Sequence, residues 1–328
     1  MDPIFNTMIT FSRLFRWLIA LGITTACALS ALSAVANTWP LPPPGSRVVG
    51  ENRYHAVARD GGSLEAIARK YNVGFLGLLQ ANPGVDPYMP RPGSVLTIPL
   101  QSLLPDAPRQ GIVINLAELR LYYYPPGKQN VVVFPIGIGQ PGDDTVTPTM
   151  LTTVSEKRTN PTWTPTANIR ARYKAQGIIL PAVVPAGPDN PMGHHAIRLA
   201  AQGGVYLLHG TNADFGIGMR VSSGCIRLRD NDIKWLYDNV QPGERVNIIN
   251  TPIKASREPD GRYLVEVHQP LSESIDDDPQ TLPITPDADM RKFLAQADPE
   301  SLIVGKAMSM RAGMPVTVGY DSSAGHKI

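Results

Sequence analysis

Ile112-Val113-Ile114-Asn115, Glu118-Leu119-Arg120-Leu121-Tyr122-Tyr123-Tyr124 and Val131-Val132-Val133-Phe134-Pro135-Ile136-Gly137-Ile138 follow one another along the chain, with Pro125-Pro126-Gly127 between the last two. β-Branched and aromatic side chains fill these runs. They fit a pleated surface well and lose rotamer freedom in a helix. The runs therefore read as consecutive strands and set a mainly β fold from about residue 110. Val205-Tyr206-Leu207-Leu208 reads as a further strand, residues 230–240 as a helix, and Val246-Asn247-Ile248-Ile249 as the strand that ends the domain near residue 250. Residues 159–193 are rich in Pro, Asn and Gly and too long for a plain connection, which suggests a lid over a site.

Upstream of this domain the chain divides further. Arg13 and Arg16 precede an apolar run that begins at Trp17 and ends in Ser33-Ala34-Val35-Ala36. A positive flank, a short apolar core and a small-residue end make a secretory signal, expected over residues 1–36 with cleavage after Ala36. The run falls short of the about 20 apolar residues of a membrane span; an uncleaved anchor is the alternative. Export places the mature protein in the periplasm. Pro40-Leu41-Pro42-Pro43-Pro44 marks residues 37–52 as a stiff spacer. Residues 101–109 read as a linker and 251–328 as a C-terminal extension of weak signal, with one further strand at 262–268, a helix at 287–297 and a mobile last dozen residues. Thirty Lys and Arg against 28 Asp and Glu leave the chain nearly neutral. No stretch carries the basic footprint of a nucleic-acid binder.

Residues 53–100 form a compact module in the order strand, helix, helix, strand. Ser63 caps a helix whose one face carries Leu64, Ile67, Ala68 and Tyr71. A second short helix ends at Asn82-Pro83-Gly84, and Pro92-Gly93 turns into Val95-Leu96-Thr97-Ile98-Pro99. The pattern Tyr54-x-x-Val57, Gly62-Ser63-Leu64, Ile67-Ala68, Tyr71-x-Val73, Asn82-Pro83 and Leu96-x-Ile98-Pro99 resembles a LysM module, which implies a small α+β unit that binds cell-wall glycan. Gly61-Gly62 departs from the Gly-Asp step usual before the first helix.

Once the signal is removed, Cys225 is the remaining cysteine. Disulfides in an exported protein require an even set, and a lone thiol in an oxidising compartment is a liability unless it does chemistry. Cys225 follows Ser222-Ser223-Gly224, small residues that leave room for a substrate. Gly224 also lets the turn aim backbone amides at one point, as an oxyanion hole needs. His209 follows a strand directly. An imidazole within reach of a thiol lowers its pKa and sets up attack. Sixteen residues separate the two, enough for a loop to fold back. Taken singly, a buried cysteine and a core histidine are the plainer readings.

His209-Gly210 and Ser222-Ser223-Gly224-Cys225-Ile226-Arg227 resemble the motif of the YkuD-type L,D-transpeptidases, a family likeness that extends over residues 111–250 and includes Thr147-Pro148, Trp163 and Asn190-Pro191-Met192-Gly193. Many relatives carry His where Ser223 stands. The resemblance implies a β-sandwich with a helix and a cofactor-free reaction. Cys225 attacks the diaminopimelate–D-Ala carbonyl of a peptidoglycan tetrapeptide, a thioester forms, and an amine resolves it while His209 moves protons. It also implies that the Gly210 carbonyl orients the imidazole, that the Gly224 and Cys225 amides hold the oxyanion, and that carbapenem-type β-lactams acylate the thiol. Arg227 is either a carboxylate-binding residue or part of a structural salt bridge. Trp163 either caps the site or packs nearby. His194-His195 invites a metal reading, but adjacent side chains point apart, so a loop role is preferred.

The LysM-plus-catalytic layout and the spacer 212–218 look like the enterobacterial subgroup that attaches murein lipoprotein through its C-terminal lysine. Direct diaminopimelate–diaminopimelate cross-linking is the alternative. A hydrolytic wall cysteine peptidase and a non-catalytic wall-binding protein are the competing classes. An exposed lone thiol further implies a periplasmic thiol reductase as partner.

Overall fold

The computed structural model describes residues 36–142 and 145–321; the expected signal segment lies outside them but for Ala36. Among the described residues no helix is long and apolar enough to cross a membrane.

The main domain is built on a nine-stranded mixed sheet. In spatial order its strands are Asn37–Pro40, Asn130–Pro135, Arg120–Tyr124, Gly111–Asn115, Arg245–Ile249, Met150–Thr159, His195–Leu199, Leu207–His209 and Ile226–Arg227. The three runs that decided the fold class form an antiparallel meander, and Arg245–Ile249 adds parallel to its first strand. These strands are apolar at nearly every position because both faces are covered. On one face Ile112, Ile114, Tyr123 and Phe134 pack with Ile233 and Leu236 of the helix Asp230–Asn239. On the other, Val113, Tyr122 and Val131 pack with Val49 and Leu104.

Met150–Thr159 turns the sheet. Its first residues pair with Arg245–Ile249 and its last with His195–Leu199, with a register shift between Val154 and Glu156. Such an irregularity bends a strand and increases its local twist. The sheet curls at this point, and its far half becomes the floor of a cleft.

Residues 53–100 fold as the sequence implies. Arg53–Ala56 pairs antiparallel with Val95–Ile98, and helices Leu64–Tyr71 and Phe75–Ala81 lie between them in sequence. Ser63 Oγ accepts the Ala66 amide at 3.3 Å, and Leu64, Ile67, Leu78 and Ile98 form the core.

Two expectations about connections are corrected. Residues 37–52 are not a free spacer: Asn37–Pro40 is an edge strand of the main sheet, and Val48–Val49 pairs with Ser102–Leu103. The same pairing removes the linker character of 101–109, where Leu103 and Leu104 are fully buried. Proline content marked this stretch as extended but could not say that the extended chain finds a sheet edge.

The C-terminal extension is a folded unit, which its weak periodicity concealed. Ile253–Arg257, Arg262–Val267 and Val316–Tyr320 form an antiparallel sheet, and helices Ala288–Ala297 and Leu302–Met310 close a core of Tyr263, Val265, Leu294, Val304 and Val318. Residues 317–320, expected to be mobile, thus belong to the strand Val316–Tyr320.

A buried ionic hub fastens this unit to the rest. Lys254 Nζ lies 2.8 Å from Glu118 and 3.2 Å from Glu266, Arg120 lies 2.9 Å from Glu266, and His268 Nε2 lies 2.7 Å from the same carboxylate. Burial opposes ionisation here, yet Lys254 and the other cations hold both carboxylates below the usual range. Glu118, Glu266 and His268 are close enough together to suggest a metal centre. Their oxygens, however, already take the Lys254 and Arg120 charges, the Asn115 amide, the Tyr122 hydroxyl and the Leu103 N–H.

The module of residues 53–100 is clamped to the main sheet rather than tethered. The Phe75 and Leu76 amides donate to the Ile217 and Gly218 carbonyls at 3.1 and 3.2 Å. Arg69 pairs with Asp214 at 2.9 Å. Arg229 donates to Asn72 Oδ1 at 2.6 Å and to the Val73 carbonyl at 3.0 Å, and Asn72 Nδ2 donates to Asp232 at 2.9 Å. The loop so gripped is the one that joins His209 to Cys225. Gly218, with φ +79°, lies so close to the Gly74 backbone that a Cβ there would overlap it. Gly218→Ala should therefore destabilise the chain by about 2–4 kcal/mol through strain and overpacking. A thermal melt checks this, and an unchanged midpoint would show that the contact is loose.

Candidate active site

Strand register decides which side chains share the cleft. Ile226–Arg227 pairs parallel with Leu207–His209, setting Arg227 beside His209. Side chains two apart on extended backbone point to the same face. Cys225 therefore shares the face of Arg227, and Leu207 that of His209. The next strands continue the pattern, with Ala196 opposite His209 and Arg198 opposite Leu207, then Arg158 and Glu156 beyond. These eight residues all line one cavity of about 530 Å³. The lid supplies its opposite wall, through Trp163, Ile169, Arg172 and Tyr173.

The lid is more ordered than its composition suggests. Trp163 and Val184 exchange backbone hydrogen bonds of 2.9 and 2.8 Å at its base, and Ala167–Ala175 is a helix capped by Thr166. Pro, Asn and Gly content hid that helix. Trp163 itself lines the cavity.

His209 is buried, and its Nδ1–H donates to the Gly210 carbonyl at 2.6 Å. That bond fixes the tautomer and leaves Nε2 with the lone pair. Gly210 has no room for a side chain, because a Cβ would run into the Asp230 carboxylate. Burial, then the Arg227 charge, pulls the imidazole down to about 4 against the Gly210 carbonyl. The half-buried Cys225 thiol is pushed above its ordinary value by burial, although the Leu207 amide and Arg227 oppose this. At neutral pH both groups rest uncharged, so the lowering of the thiol expected from a neighbouring imidazole is not seen in the resting site. A neutral imidazole is nonetheless the form that accepts a proton.

The turn before Cys225 is stapled from behind. Ser222 Oγ donates to the Cys225 carbonyl at 2.5 Å and accepts the Gly224 amide at 3.2 Å. Thr147 Oγ1 donates to the Gly224 carbonyl and accepts the Gly139 amide, both at 2.9 Å. The Gly224 amide already donates to Ser222, so the Cys225 N–H is the less committed of the two amides expected at the oxyanion. Gly224 adopts φ +104°, a conformation that favours glycine. Ser222 and Thr147, both buried, are positioning residues whose hydrogen-bonding role motif reading did not show. Ser222→Ala should slow thioester formation on the order of 10–100-fold, because displacements near 1 Å at the nucleophile cost about that much. Rapid-quench mass spectrometry reads it; unaltered kinetics would show that the turn holds itself.

Arg227 enters no salt bridge among the described residues, whose bridged arginines are 69, 120, 158, 198, 257 and 262. Its buried Nε has no hydrogen-bond partner, so the structural salt bridge is not what holds it. Ser223 faces the cavity and accepts a hydrogen bond from Arg172. His195, expected in a loop, opens a strand and lies 5.0 Å from the Tyr237 ring.

Comparison with known proteins decides the family. The L,D-transpeptidase catalytic domain model, YkuD, matches residues 109–248, the L,D-transpeptidase C-terminal domain model matches 252–318, and the LysM domain model matches 57–99. The Escherichia coli K12 protein named "Probable L,D-transpeptidase YcfS" is 74% identical over 311 residues, covering 95% of this chain and 97% of that one. This chain belongs to the L,D-transpeptidase family. Two further relatives from the same organism, "Probable L,D-transpeptidase ErfK/SrfK" and "Probable L,D-transpeptidase YbiS", are each 49% identical and cover 90% and 87% of this L,D-transpeptidase, and 96% and 92% of their own lengths. The C-terminal unit, in which sequence reading placed only the strand at 262–268 and the helix at 287–297, is thus a recurring domain of L,D-transpeptidases.

Proposed function

We propose that this L,D-transpeptidase acts in the periplasm on peptidoglycan tetrapeptides through a thioester on Cys225, and transfers the peptide to the C-terminal lysine of murein lipoprotein. The observation that carries the catalytic part is the convergence of Cys225, His209 and Arg227 on one face of a lidded cleft. His209 Nε2 takes the thiol proton as sulfur attacks the carbonyl between diaminopimelate and D-Ala. The tetrahedral oxyanion forms toward the Cys225 amide. His209 returns the proton to the leaving amine, and D-Ala departs. The lysine ε-amine then attacks the thioester, its proton passes to His209, and collapse restores the thiol. One amide is broken and one is formed, so the reaction needs neither cofactor nor metal.

Export and glycan affinity support the wall as substrate: the LysM match supplies a sugar-binding module, and the clamp described above holds it in fixed relation to the cleft. Nothing in the cleft chemistry separates a lysine amine from the amine of a second diaminopimelate; the lipoprotein acceptor rests on similarity to the enterobacterial subgroup. Incubating the enzyme with tetrapeptide-bearing sacculi and a lysine-ended peptide, followed by mass spectrometry of muropeptides, tests this. Tripeptide joined to the lysine peptide is expected. Diaminopimelate-linked dimers alone would move the assignment to cross-linking, and free tripeptide alone to a hydrolase. A thiol reductase partner follows from the single thiol among the described residues, and loss of turnover on oxidation with recovery in reductant would support it.

A further inference from the structure

The lid helix Ala167–Ala175 has no buried residue. A nine-residue helix whose side chains are at most half-buried is unstable by itself, so contacts beyond the helix must hold it. One of them reaches the reaction centre: the Arg172 guanidinium crosses the cleft and donates to Ser223 Oγ, two residues before the nucleophile. Arg227 stands two residues after it on the sheet floor. Cys225 is thus bracketed by one guanidinium from the lid and one from the sheet, and all three line the cavity.

Neither cation is neutralised. The arginines in salt bridges among the described residues do not include Arg172 or Arg227. Arg227 carries a buried Nε without a partner, and Arg172 meets a neutral hydroxyl with one edge of a group that has five donors. Two uncompensated guanidinia converging from opposite walls are arranged for carboxylate, which each can grip in a bidentate fork. Residue 223 matters for this. A serine there is small enough to let Arg172 descend to the turn.

We propose that Arg172 is a specificity-determining residue that closes the lid on a carboxylate of the donor peptide, exchanging Ser223 Oγ for that carboxylate while Arg227 serves from the floor. The proposal rests on the assignment of Cys225 as the acylated residue. It deepens that assignment by naming the chemical class the lid reads. The donor offers carboxylates on the leaving D-Ala, on diaminopimelate and on the D-Glu before it, and the experiment separates them.

Thioester formation is measured by intact mass at several donor concentrations, for wild type, Arg172→Ala and Arg172→Lys. Donors carry free acids or a single amide at one of the three positions. Arg172→Ala should raise the half-saturating concentration of the free-acid donor by about 10-fold or more, with a smaller effect on the limiting rate, and lysine should restore part of it. One amidated donor should be as poor with wild type as the free acid is with Arg172→Ala, and should lose nothing further in the variant, which identifies the carboxylate. Equal losses for all donors would overturn the clamp. Alkylation of Cys225 by iodoacetate relative to iodoacetamide provides an independent reading. The ratio should fall in Arg172→Ala, and an unchanged ratio would also count against the proposal. Absence of any thioester in wild type would contradict the transferase reading instead, while the alkylation ratio would still report on Arg172.

Discussion

Cys225→Ala is expected to abolish transfer, with a loss on the order of 10⁴-fold or more and little change in thermal stability. No other side chain of the cavity lining is a nucleophile of comparable strength: its hydroxyls belong to Thr162, Thr164, Thr166, Ser222, Ser223 and Tyr173, and none follows the stapled turn beside His209. Removing the residue that forms the covalent intermediate removes the two-step route altogether. The stability expectation follows from position. Cys225 is only half-buried, and its sulfur holds no strong partner: it lies 3.8 Å from the Val205 carbonyl and takes a hydrogen bond from the Leu207 amide. Circular dichroism melts beside muropeptide analysis separate the two quantities. Residual transfer within 100-fold of wild type would point to a different nucleophile.

His209→Ala should slow acylation by roughly 10²–10⁴-fold, the usual contribution of a positioned general base. The pH profile is the sharper test, because the environment of the pair sets its sign. Burial and Arg227 keep His209 neutral down to about pH 4. The imidazole can therefore accept the thiol proton throughout the neutral and mildly acidic range. Acylation by donor peptide should stay nearly flat from about pH 5 to 8 and fall only as His209 becomes protonated near 4. Alkylation by iodoacetamide, which reports thiolate already present, should behave differently. Burial raises the thiol above its ordinary value, so alkylation should climb with a midpoint above the about 8.5 of a free cysteine. A pre-formed thiolate–imidazolium pair would instead give fast alkylation persisting to acidic pH, and that result would refute the resting state described here.

The fold was legible wherever a local signal coincided with burial. Residues 111–138 read as strands because side chains on both of their faces are covered, leaving unbroken apolar runs. The small helical module was legible because its N-cap, turn prolines and apolar stripe agree with one another. The edge strand Asn37–Pro40 was missed for the opposite reason. Its four residues carry no alternation to read, and it is ordered by the neighbouring strand, by the Asn37 hydrogen bond to the Asn72 carbonyl and by the packing of Trp39. The helix Leu302–Met310 buries Val304 alone, so it shows no stripe to read.

The site divided in the same way. His209, Gly210, Cys225 and Arg227 lie in a contiguous motif, and the parallel pairing that sets them side by side was accessible only as a possibility of loop length. Arg172 is invisible to such reading and Thr147 was visible only as part of the family likeness, because each reaches the nucleophile turn from a segment more than 50 residues away. Ser222 was visible as a small residue but not as a staple. The charge state of the pair also escaped, since ionisation depends on burial and on the Arg227 side chain from the neighbouring strand. Motif spacing records none of these.

The most direct measurement is the intact mass of the enzyme seconds after mixing with tetrapeptide donor and no acceptor amine, followed by peptide mapping. The expected result is an adduct equal to the donor minus D-Ala, confined to the peptide containing Cys225 and discharged by added lysine peptide. D-Ala release with no adduct, or an adduct on any other residue, would contradict the thioester at Cys225 from which the whole mechanism is drawn.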